Sequence, residues 1–312
     1  MNRNNRIYVA GGDTLLGAAL LSQLKATGYS TVNETRSAEP DLADKVQVEA
    51  LFAETRPDYV FLVAGRSGGI SANQKYPADL MIDNLLIDCQ VIRCAHLYGT
   101  RKLMYFASSC SYPRLCPQPM RVESLMSGPL EPSNEAYATA KISGIKLCQA
   151  FRQQYGADMV TVIPANIFGP GDDFTCDDAH VIAALMARLH RAKISRSDTV
   201  EVWGSGSPRR EFVFVDDVAD AAIFLMKEFS SPTPINVGNG SDVSVREIAE
   251  MIQQVVGYQG SLNFNASKPD GMPLKMLDSA KLLSMGWRPK HSLRAGLDAT
   301  YRWFLATRGA QD

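Results

Sequence analysis

Apolar residues recur along the first half of the chain with two periods, one typical of strands and one typical of helices. Short runs rich in β-branched and aromatic residues predict strands over 7–10, 30–34, 59–63, 103–107 and 160–164. Apolar residues at helical spacing predict helices over about 15–27, 46–55, 135–155 and a long segment after Pro77. Because strands that alternate with helices form parallel sheets covered on both faces, the pattern predicts an α/β, Rossmann-type doubly wound fold.

The regular alternation ends after Asn166. We predict a helix over 180–193, strands over 200–203 and 212–215, a helix over 218–228, and short helices and loops from about Val243 onward. This arrangement predicts a dinucleotide-binding domain formed by residues 1–166 and about 210–240. Residues from about 167 to 209 and from 241 to 312 would form a smaller C-terminal α/β lobe that binds substrate across a cleft.

The composition of the 312 residues argues against several classes of protein. A net charge of −1 gives no electrostatic attraction to nucleic acid or to an anionic membrane. No apolar run approaches the roughly 20 residues that cross a bilayer, and the N-terminus lacks a signal-peptide pattern. The six cysteines lack the spacing of a zinc site, so no metal is expected, and Cys89, Cys94 and Cys148 are interpreted as buried thiols. These features predict a reduced, cytoplasmic protein.

A glycine-rich turn, Gly11-Gly-Asp-Thr-Leu-Leu-Gly17, follows the first predicted strand and opens the first helix. A dinucleotide pyrophosphate binds at such a turn because glycines let the backbone approach and the helix N-terminus presents N–H groups. Thr14 stands at the middle glycine position, where its Cβ would narrow the space beside the pyrophosphate. A plain tight turn would carry the same glycines, but the flanking strand and helix favour a cofactor site.

The end of the second predicted strand, Asn33-Glu-Thr-Arg-Ser37, bears on the choice of cofactor. Arg36 and Ser37 suit the 2′-phosphate of NADP, whereas an acidic side chain there suits the free ribose hydroxyl of NAD. We therefore expect NADP(H). Glu34 and Asp13 leave NAD(H) open as the alternative.

Tyr137 and Lys141 stand four residues apart on a predicted helix, so they lie on the same face one turn from each other. A free tyrosine, with a pKa of about 10, donates a proton poorly near neutral pH, and the Lys141 ammonium would lower that pKa. Ser108, at the end of a predicted strand, would hold the oxygen of a carbonyl under reduction. A Tyr–Lys pair alone occurs by chance on many helices, but with Ser108 and the glycine turn it predicts hydride transfer at a carbonyl carbon.

These motifs resemble those of the extended short-chain dehydrogenase/reductases that act on nucleotide sugars. Longer segments resemble the members that make GDP-L-fucose: 67–70, 76–79, 108–113, 128–132, 140–148, 203–206, 208–212, 215–217 and 268–271. The likeness runs from the first strand to Trp303 and is weakest over the first 60 residues, where Asp13 and Thr14 depart from the family's turn.

The resemblance implies a bifunctional enzyme that epimerises C3 and C5 of GDP-4-keto-6-deoxy-mannose and then reduces the C4 ketone with NADPH. Cys110 and His180 match the family's acid–base pair for epimerisation. Without that match, Cys110 would be interpreted as a small buried residue and His180 as an ordinary residue at a helix start. The family positions that hold the GDP portion match Arg188, Trp203, Arg210, Asp270 and Lys275.

The residues expected to contact the cofactor lie on the glycine turn, at the ends of strands and in the catalytic group. They are Gly11, Gly12, Asp13, Thr14, Leu15, Leu16, Gly17, Arg36, Ser37, Ala64, Gly65, Ala107, Ser108, Lys141, Pro164, Ala165, Asn166, Ile167 and His180.

Two further expectations concern assembly and alternative functions. The helices after Pro77 and Asn134 carry apolar residues on more than one face, which predicts a homodimer through a four-helix bundle, as in the family. The alternatives to a GDP-L-fucose-forming enzyme are a related GDP-sugar reductase or epimerase with a different deoxy-sugar or heptose product, and a cofactor-sensing protein without catalysis. The intact Ser108, Tyr137 and Lys141 count against the last of these.

Overall fold

The computed structural model describes residues 1–35, 38–175, 179–268 and 270–307. In those ranges the strands are Ile7–Ala10 (β1), Tyr59–Leu62 (β2), Lys102–Phe106 (β3), Met159–Pro164 (β4), Asn166–Phe168 (β5), Thr199–Trp203 (β6), Arg209–Arg210 (β7), Phe212–Phe214 (β8), Ile235–Val237 (β9), Val243–Ser244 (β10), Ser261–Asn265 (β11) and Leu274–Lys275 (β12). The helices are Leu15–Ala26 (α1), Lys45–Thr55 (α2), Ile70–Lys75 (α3), Pro77–Leu97 (α4), Glu135–Tyr155 (α5), Val181–Ser195 (α6), Val215–Glu228 (α7), Val245–Val256 (α8), Ala280–Ser284 (α9) and Leu293–Thr307 (α10).

A parallel sheet joins β1, β2, β3, β4 and β9 in that order, and helices cover it. The residues of β1, β3 and β4 are buried throughout, as expected for strands that lie between two layers of helices. Helix α1 packs against α7, and α4 packs against α5. The predicted Rossmann-type doubly wound α/β fold is confirmed, and the carboxyl ends of β2, β3 and β4 meet at one edge of the sheet.

The strand predicted over 30–34 is wrong. Thr31 forms an isolated parallel bridge to Ile7, and Val32–Thr35 is a 3₁₀ helix. The side-chain amide of Asn33 takes the place of a neighbouring strand: it accepts a hydrogen bond from Val9 N at 3.0 Å and donates one to Val9 O at 2.9 Å. Because the amide satisfies both backbone groups, this edge of β1 is paired without a second strand.

The second half of the chain is more regular than the sequence pattern suggested. Helix α7 begins at Val215, three residues earlier than predicted, because Phe214 ends β8 directly before it. Short helices and loops were expected from Val243, yet α8 and α10 run for 12 and 15 residues. A capping box between Ser244 and Glu247 fixes the start of α8.

Two buried hydrophobic clusters lie in the described part of the chain. One surrounds the parallel sheet. The other joins α6, α8 and α10 around Phe168, Phe212 and Phe214. The boundaries proposed for a dinucleotide-binding domain and a substrate lobe stay a prediction.

The cysteines and the long helices bear on two expectations from the sequence. Cys94 and Cys148 are buried, but Cys89 is exposed on the outer face of α4, so its assignment as a buried thiol is wrong. In the described ranges, no helix combines the length and apolar character that a bilayer crossing requires.

Candidate active site

A cavity of about 690 Å³ lies beyond the carboxyl ends of the sheet strands, between the sheet and the second hydrophobic cluster. Residues predicted as catalytic line it together: Ser108, Cys110, Tyr137, Lys141 and His180. The residues predicted to hold the GDP portion line it as well: Arg188, Trp203, Arg210, Asp270 and Lys275. The fold therefore brings together side chains that are up to 167 positions apart in the sequence, from Ser108 to Lys275.

The residues predicted to contact the cofactor fall into three groups. Those that line the cavity are Thr14, Leu15, Leu16, Ala64, Gly65, Ala107, Ser108, Lys141, Pro164, Ala165, Asn166, Ile167 and His180. Gly11, Gly12, Asp13 and Gly17 lie in the turn behind this lining. Arg36 and Ser37 lie outside the described residues.

The glycine turn has the close backbone contacts that a dinucleotide site requires. Gly11 has a φ of +90°, and a Cβ there would lie 2.6 Å from the backbone of Ala64. A Cβ on Gly17 would lie 1.9 Å from the Gly11 carbonyl oxygen. Thr14 caps α1: its hydroxyl donates to Gly11 O at 2.7 Å and accepts from Gly17 N at 3.1 Å. The residue that departs from the glycine pattern therefore closes the turn.

This turn fits a dinucleotide pyrophosphate. The first backbone N–H groups of a helix lack partners within the helix, and an anion at the N-terminus can accept from them. Thr14 satisfies the N–H of Gly17, and the first two residues of α1, Leu15 and Leu16, line the cavity. The chain thus offers a helix N-terminus, without a blocking side chain at Gly11 or Gly17, at the place where an NADP pyrophosphate would lie.

Acidic residues lie in the glycine turn and in the segment around Val32–Thr35. Glu34 accepts a hydrogen bond from Thr31 N at 3.1 Å, and Asp13 is exposed. Glu39, which the sequence did not single out, accepts from Gly11 N at 3.4 Å, from Asn33 Nδ2 at 3.2 Å and from the Tyr8 hydroxyl. The Glu39 carboxylate therefore links Asn33 of the 3₁₀ helix to Gly11 of the glycine turn through hydrogen bonds.

Ser108 and Tyr137 approach each other from two different elements. Ser108 follows β3 and caps a short 3₁₀ helix, with its hydroxyl accepting from Cys110 N at 3.1 Å. Tyr137 lies in the first turn of α5. Burial raises the pKa of the Tyr137 phenol, as does the charge of Cys110, and a hydrogen bond with Ser108 opposes them only in part. The sequence predicted that Lys141 would lower this pKa; in the structure burial outweighs any such effect and keeps the phenol protonated.

Lys141 is buried against the floor of the cavity. Its Nζ lies 5.1 Å from the centre of the Tyr105 ring, and a Cβ on Gly65 would lie 3.3 Å from it. The Tyr105 hydroxyl donates to Asp88 Oδ2 at 2.7 Å. Burial raises the pKa of the Asp88 carboxyl, and the positive charge of Lys141 opposes that shift. The ammonium group thus sits between the open side of the cavity and a buried carboxyl.

Two side-chain nitrogen atoms lie within hydrogen-bond distance of the Cys110 sulfur. Lys275 Nζ and Asn134 Nδ2 each lie 3.2 Å from Sγ. Burial raises the pKa of the Cys110 thiol, but the charge of Lys275 and hydrogen bonds from Ser108 and Lys275 lower it by more. The net pKa therefore lies below its ordinary value, as a catalytic base needs.

His180 caps the start of α6 and is half-exposed to the cavity. Its Nδ1 lies 3.8 Å from Oδ1 of the buried Asp172, an ionic contact too long for a direct hydrogen bond. The interaction with Asp172 raises the pKa of His180, and the charge of Cys110 acts in the same direction against burial. A cationic imidazole and an anionic thiolate therefore favour each other across the cavity.

The residues predicted to hold the GDP portion form two groups. Arg188 and Lys268 lie over the ring of Trp203, with Arg188 Cζ 5.8 Å and Lys268 Nζ 4.9 Å from its centre. Asp270 accepts from Ser205 N and Ser205 Oγ, each at 2.8 Å. Arg210 of β7 is half-buried and lines the cavity, and its guanidinium donates to the Asp270 carbonyl oxygen at 3.3 Å.

Sequence reasoning missed several residues of this site. Asn134 reaches Cys110 from a 3₁₀ turn directly before α5, Asp172 reaches His180 from a loop, and Lys268 reaches Trp203 from a bend. The tetrapeptide Ser133-Asn-Glu-Ala136 directly precedes Tyr137, which is the signal that could have drawn attention to Asn134. The Asp172-Asp173 pair lies seven residues before His180, a weaker signal for Asp172. Within the described ranges no cluster of three His, Cys, Asp or Glu side chains could hold a metal ion.

Comparison with known proteins agrees with this geometry. Residues 7–238 match the NAD dependent epimerase/dehydratase family. A protein of Oryza sativa subsp. japonica named probable GDP-L-fucose synthase 1 is 48% identical over 305 residues, which span 97% of this chain and 93% of that protein.

Solved structures resemble the whole chain. A GDP-6-OMe-4-keto-L-xylo-heptose reductase from C. jejuni superposes with a TM-score of 0.93 at 31% identity, covering 99% of both chains. A GDP-L-fucose synthetase from Naegleria fowleri, bound to NADP, superposes with a TM-score of 0.89 at 26% identity, covering 99% of this chain and 96% of that one. With its glycine turn, its parallel sheet and its Ser-Tyr-Lys group, the chain belongs to the NAD dependent epimerase/dehydratase family.

Proposed function

We propose that this protein is a bifunctional epimerase-reductase that converts GDP-4-keto-6-deoxy-D-mannose to GDP-L-fucose with NADPH. The observation that carries the proposal is the presence of two chemical groups in one cavity: Ser108, Tyr137 and Lys141 for reduction, and Cys110 and His180 for epimerisation. The similarity to the rice relative named as a probable GDP-L-fucose synthase supports the same substrate class.

The epimerisation half uses the acidity of protons beside a ketone. The Cys110 thiolate takes the proton from C3 or C5, and the electron pair of the broken C–H bond moves onto the C4 oxygen as an enolate. The His180 imidazolium then gives a proton to the opposite face of the same carbon. The thiol and the neutral imidazole exchange protons with solvent to restore the starting pair before the second carbon reacts.

The reduction half uses residues on the strand end and on α5. The Ser108 hydroxyl holds the C4 oxygen, and Tyr137 donates its phenolic proton to that oxygen as it becomes an alcohol. The raised pKa of Tyr137 keeps the proton on the phenol until negative charge develops beside it. Lys141 stabilises the phenolate that remains and would hold the ribose of a nicotinamide cofactor, whose chemistry when bound is hydride transfer to C4.

The cationic and aromatic side chains at the other end of the cavity would bind the nucleotide. Arg188, Trp203 and Lys268 form a stacked group whose aromatic face suits a guanine base and whose charges suit a diphosphate. Asp270 would accept hydrogen bonds from the guanine edge through the lone pairs that Ser205 does not use.

NADP(H) is the cofactor that this proposal assigns. The Naegleria fowleri relative was solved with NADP, and Arg36 and Ser37 follow the segment beside the glycine turn. The glycine turn fits the pyrophosphate of either NAD or NADP. The preference between the two cofactors therefore depends on the residues that contact the adenosine ribose.

A homodimer and a cytoplasmic location complete the proposal. Ile82, Leu86 and Cys89 form an exposed stripe along α4. Farther along this helix, the ring of His96 stacks on Tyr155 of α5, with the ring centres 4.2 Å apart. Helices α4 and α5 already pack against each other, and each is 21 residues long. A second copy that presents the same pair would cover this surface as a four-helix bundle.

The product of the reaction tests the proposal. Purified protein is incubated with GDP-4-keto-6-deoxy-D-mannose and NADPH, and the sugar is identified by NMR. We expect GDP-L-fucose. A sugar reduced at C4 with C3 and C5 unchanged would identify a related deoxy-sugar or heptose reductase instead. Binding of NADPH without its oxidation by any 4-keto sugar nucleotide would identify a cofactor-sensing protein.

A further inference from the structure

Two side chains approach the sulfur of Cys110 with nitrogen atoms that can only donate hydrogen bonds. A lysine ammonium has no acceptor, and the Nδ2 amide nitrogen of asparagine donates as well. Lys275 Nζ and Asn134 Nδ2 both point at Sγ from 3.2 Å. A sulfur that accepts from both is matched to the thiolate, because a thiol would have to place its own proton among donors.

Two separate elements hold these donors in place. Asn134 ends a 3₁₀ turn directly before α5, three residues from Tyr137, and its side chain makes no capping bond to the helix. Lys275 lies on β12, paired in parallel register with Arg210 of β7. Lys275 is only 8% exposed, and a buried ammonium needs a partner of opposite charge. The Cys110 sulfur provides that partner.

Other titratable groups also face this sulfur. His180 approaches from the start of α6, Arg210 from β7, and the Tyr137 phenol from α5. His180 and Arg210 add to the positive potential, whereas Tyr137 is neutral while its proton is in place. Lys275 is set apart from them by its direct contact at hydrogen-bond distance.

We propose that Lys275 and Asn134 hold Cys110 as a resting thiolate, so that both are positioning residues for the epimerisation step. This inference rests on the proposed function and changes the role of Lys275, which the sequence had placed on the GDP diphosphate. In the step, the thiolate accepts a proton from C3 or C5 and becomes a thiol, while His180 supplies the replacement proton. The loss of charge on sulfur leaves the Lys275 ammonium beside the enolate that forms.

Alkylation of Cys110 measures the thiolate directly and needs no substrate. The rate of carbamidomethylation by iodoacetamide is followed at Cys110 from pH 5 to 10 by mass spectrometry of its peptide, which separates it from exposed Cys89. For Lys275→Met we expect the alkylation midpoint to move to higher pH, and the rate at pH 7 to fall about tenfold for every pH unit by which the new midpoint exceeds pH 7. Asn134→Asp, which places a negative charge beside the sulfur, should move the midpoint in the same direction.

Arg188→Met is the matched control for this alkylation experiment. It removes a cavity cation that contacts Trp203 rather than Cys110, so it should leave the midpoint unchanged.

The second readout separates thiolate stabilisation from diphosphate binding. Exchange of the C3 and C5 protons with heavy water should fall in Lys275→Met through kcat, and the loss should be larger at pH 6 than at pH 9, where the thiol ionises unaided. An unchanged alkylation midpoint in Lys275→Met, with a raised KM or a weaker affinity for GDP, would overturn the inference and leave Lys275 on the diphosphate. If Lys275→Met does not fold, Lys275→Arg, which keeps the charge, must retain the low midpoint, and Asn134→Asp must raise it. If the variants show these shifts in midpoint but the parent protein makes no GDP-L-fucose, the proposed function is refuted and the inference about Cys110 stands.

Discussion

The imidazole of His180 and the buried carboxylate of Asp172 form an ionic pair, with Nδ1 3.8 Å from Oδ1. Asp172 lies in the loop after β5, and its Oδ1 also accepts from the N–H of Asp173 at 2.8 Å. The pair raises the pKa of His180, whereas the donors around Cys110 lower the pKa of the thiol. Both effects favour the same state, a protonated imidazole with a thiolate, which is the state that the proposed epimerisation consumes.

Replacing Asp172 by asparagine tests this pair. Asp172→Asn keeps the shape and the acceptor for Asp173 but removes the charge, so the pKa of His180 should fall. In the parent, the raised pKa keeps His180 protonated up to a higher pH. In Asp172→Asn the imidazolium is lost only at pH values above the lowered pKa, so the two proteins differ only there. We therefore expect C3 and C5 proton exchange to be nearly unchanged at pH 5 and to fall increasingly with pH, by roughly tenfold for every pH unit that separates the two pKa values. The measurement is deuterium uptake by NMR as a function of pH.

Asp173→Asn serves as the control for that experiment, because it removes a neighbouring carboxylate whose Oδ1 accepts from Thr175 instead. Asp173→Asn should leave the pH dependence of C3 and C5 proton exchange unchanged. If Asp172→Asn loses the same fraction of exchange at every pH, Asp172 stabilises the loop conformation and does not act through the protonation of His180.

Tyr137→Phe separates the two chemistries. The phenol hydroxyl is the proposed proton donor to the C4 oxygen, so its removal should reduce NADPH oxidation by about 100-fold or more. Cys110 and His180 do not depend on that hydroxyl, and deuterium uptake from heavy water into the keto sugar should persist. Loss of both activities in a folded variant would show that the assignment of roles is wrong.

The exposed stripe on α4 predicts a dimer in solution. Ile82 and Leu86 are 51% and 39% exposed and lie one turn apart. Light scattering at micromolar concentration should give twice the chain mass, and the double variant Ile82→Glu, Leu86→Glu should give the mass of one chain. Leu305→Glu on α10, at a position 41% exposed, is the control and should remain dimeric. A parent protein with the mass of a single chain contradicts the four-helix bundle.

Cofactor preference should depend on Arg36. If Arg36 and Ser37 meet the 2′-phosphate, NADPH binds more tightly than NADH, and Arg36→Ala removes most of the difference, on the order of 1–3 kcal/mol. Titration calorimetry of both cofactors with both proteins measures this. Equal affinities in the parent would assign the ribose to an acidic side chain such as Glu34.

Local patterns in the sequence were enough to predict most of the fold. Helix α5 begins and ends where the apolar spacing predicts, and the Tyr137–Lys141 pair follows from helical geometry alone. The strand over 30–34 failed because its apolar run is short and the Asn33 side chain supplies the pairing that a strand would have made. Cys89 was misplaced because an apolar stripe on a helix looks the same whether it faces the core or a second protein.

The electrostatics of the site could not be predicted in the same way. Lys275 contacts a cysteine 165 positions earlier in the chain, and nothing in either local segment records that contact. Asn134 acts from the 3₁₀ turn before α5 and Asp172 from a loop, and in both places side-chain direction depends on tertiary packing rather than on periodicity. The pKa of Tyr137 was predicted from its neighbour Lys141, but burial by the rest of the cavity dominates it.

The stereochemistry and labelling of the product test the central claim that one cavity carries out both epimerisation and reduction. The parent protein and Cys110→Ser are each incubated in heavy water with GDP-4-keto-6-deoxy-D-mannose and NADPH, and the products are compared by NMR. The parent should make GDP-L-fucose with deuterium at C3 and C5. Cys110→Ser, a nearly isosteric change, should slowly make a C4-reduced sugar in which C3 or C5 keeps its original configuration and its proton. GDP-L-fucose made by Cys110→Ser at the parent rate, with the same deuterium content, would contradict that claim.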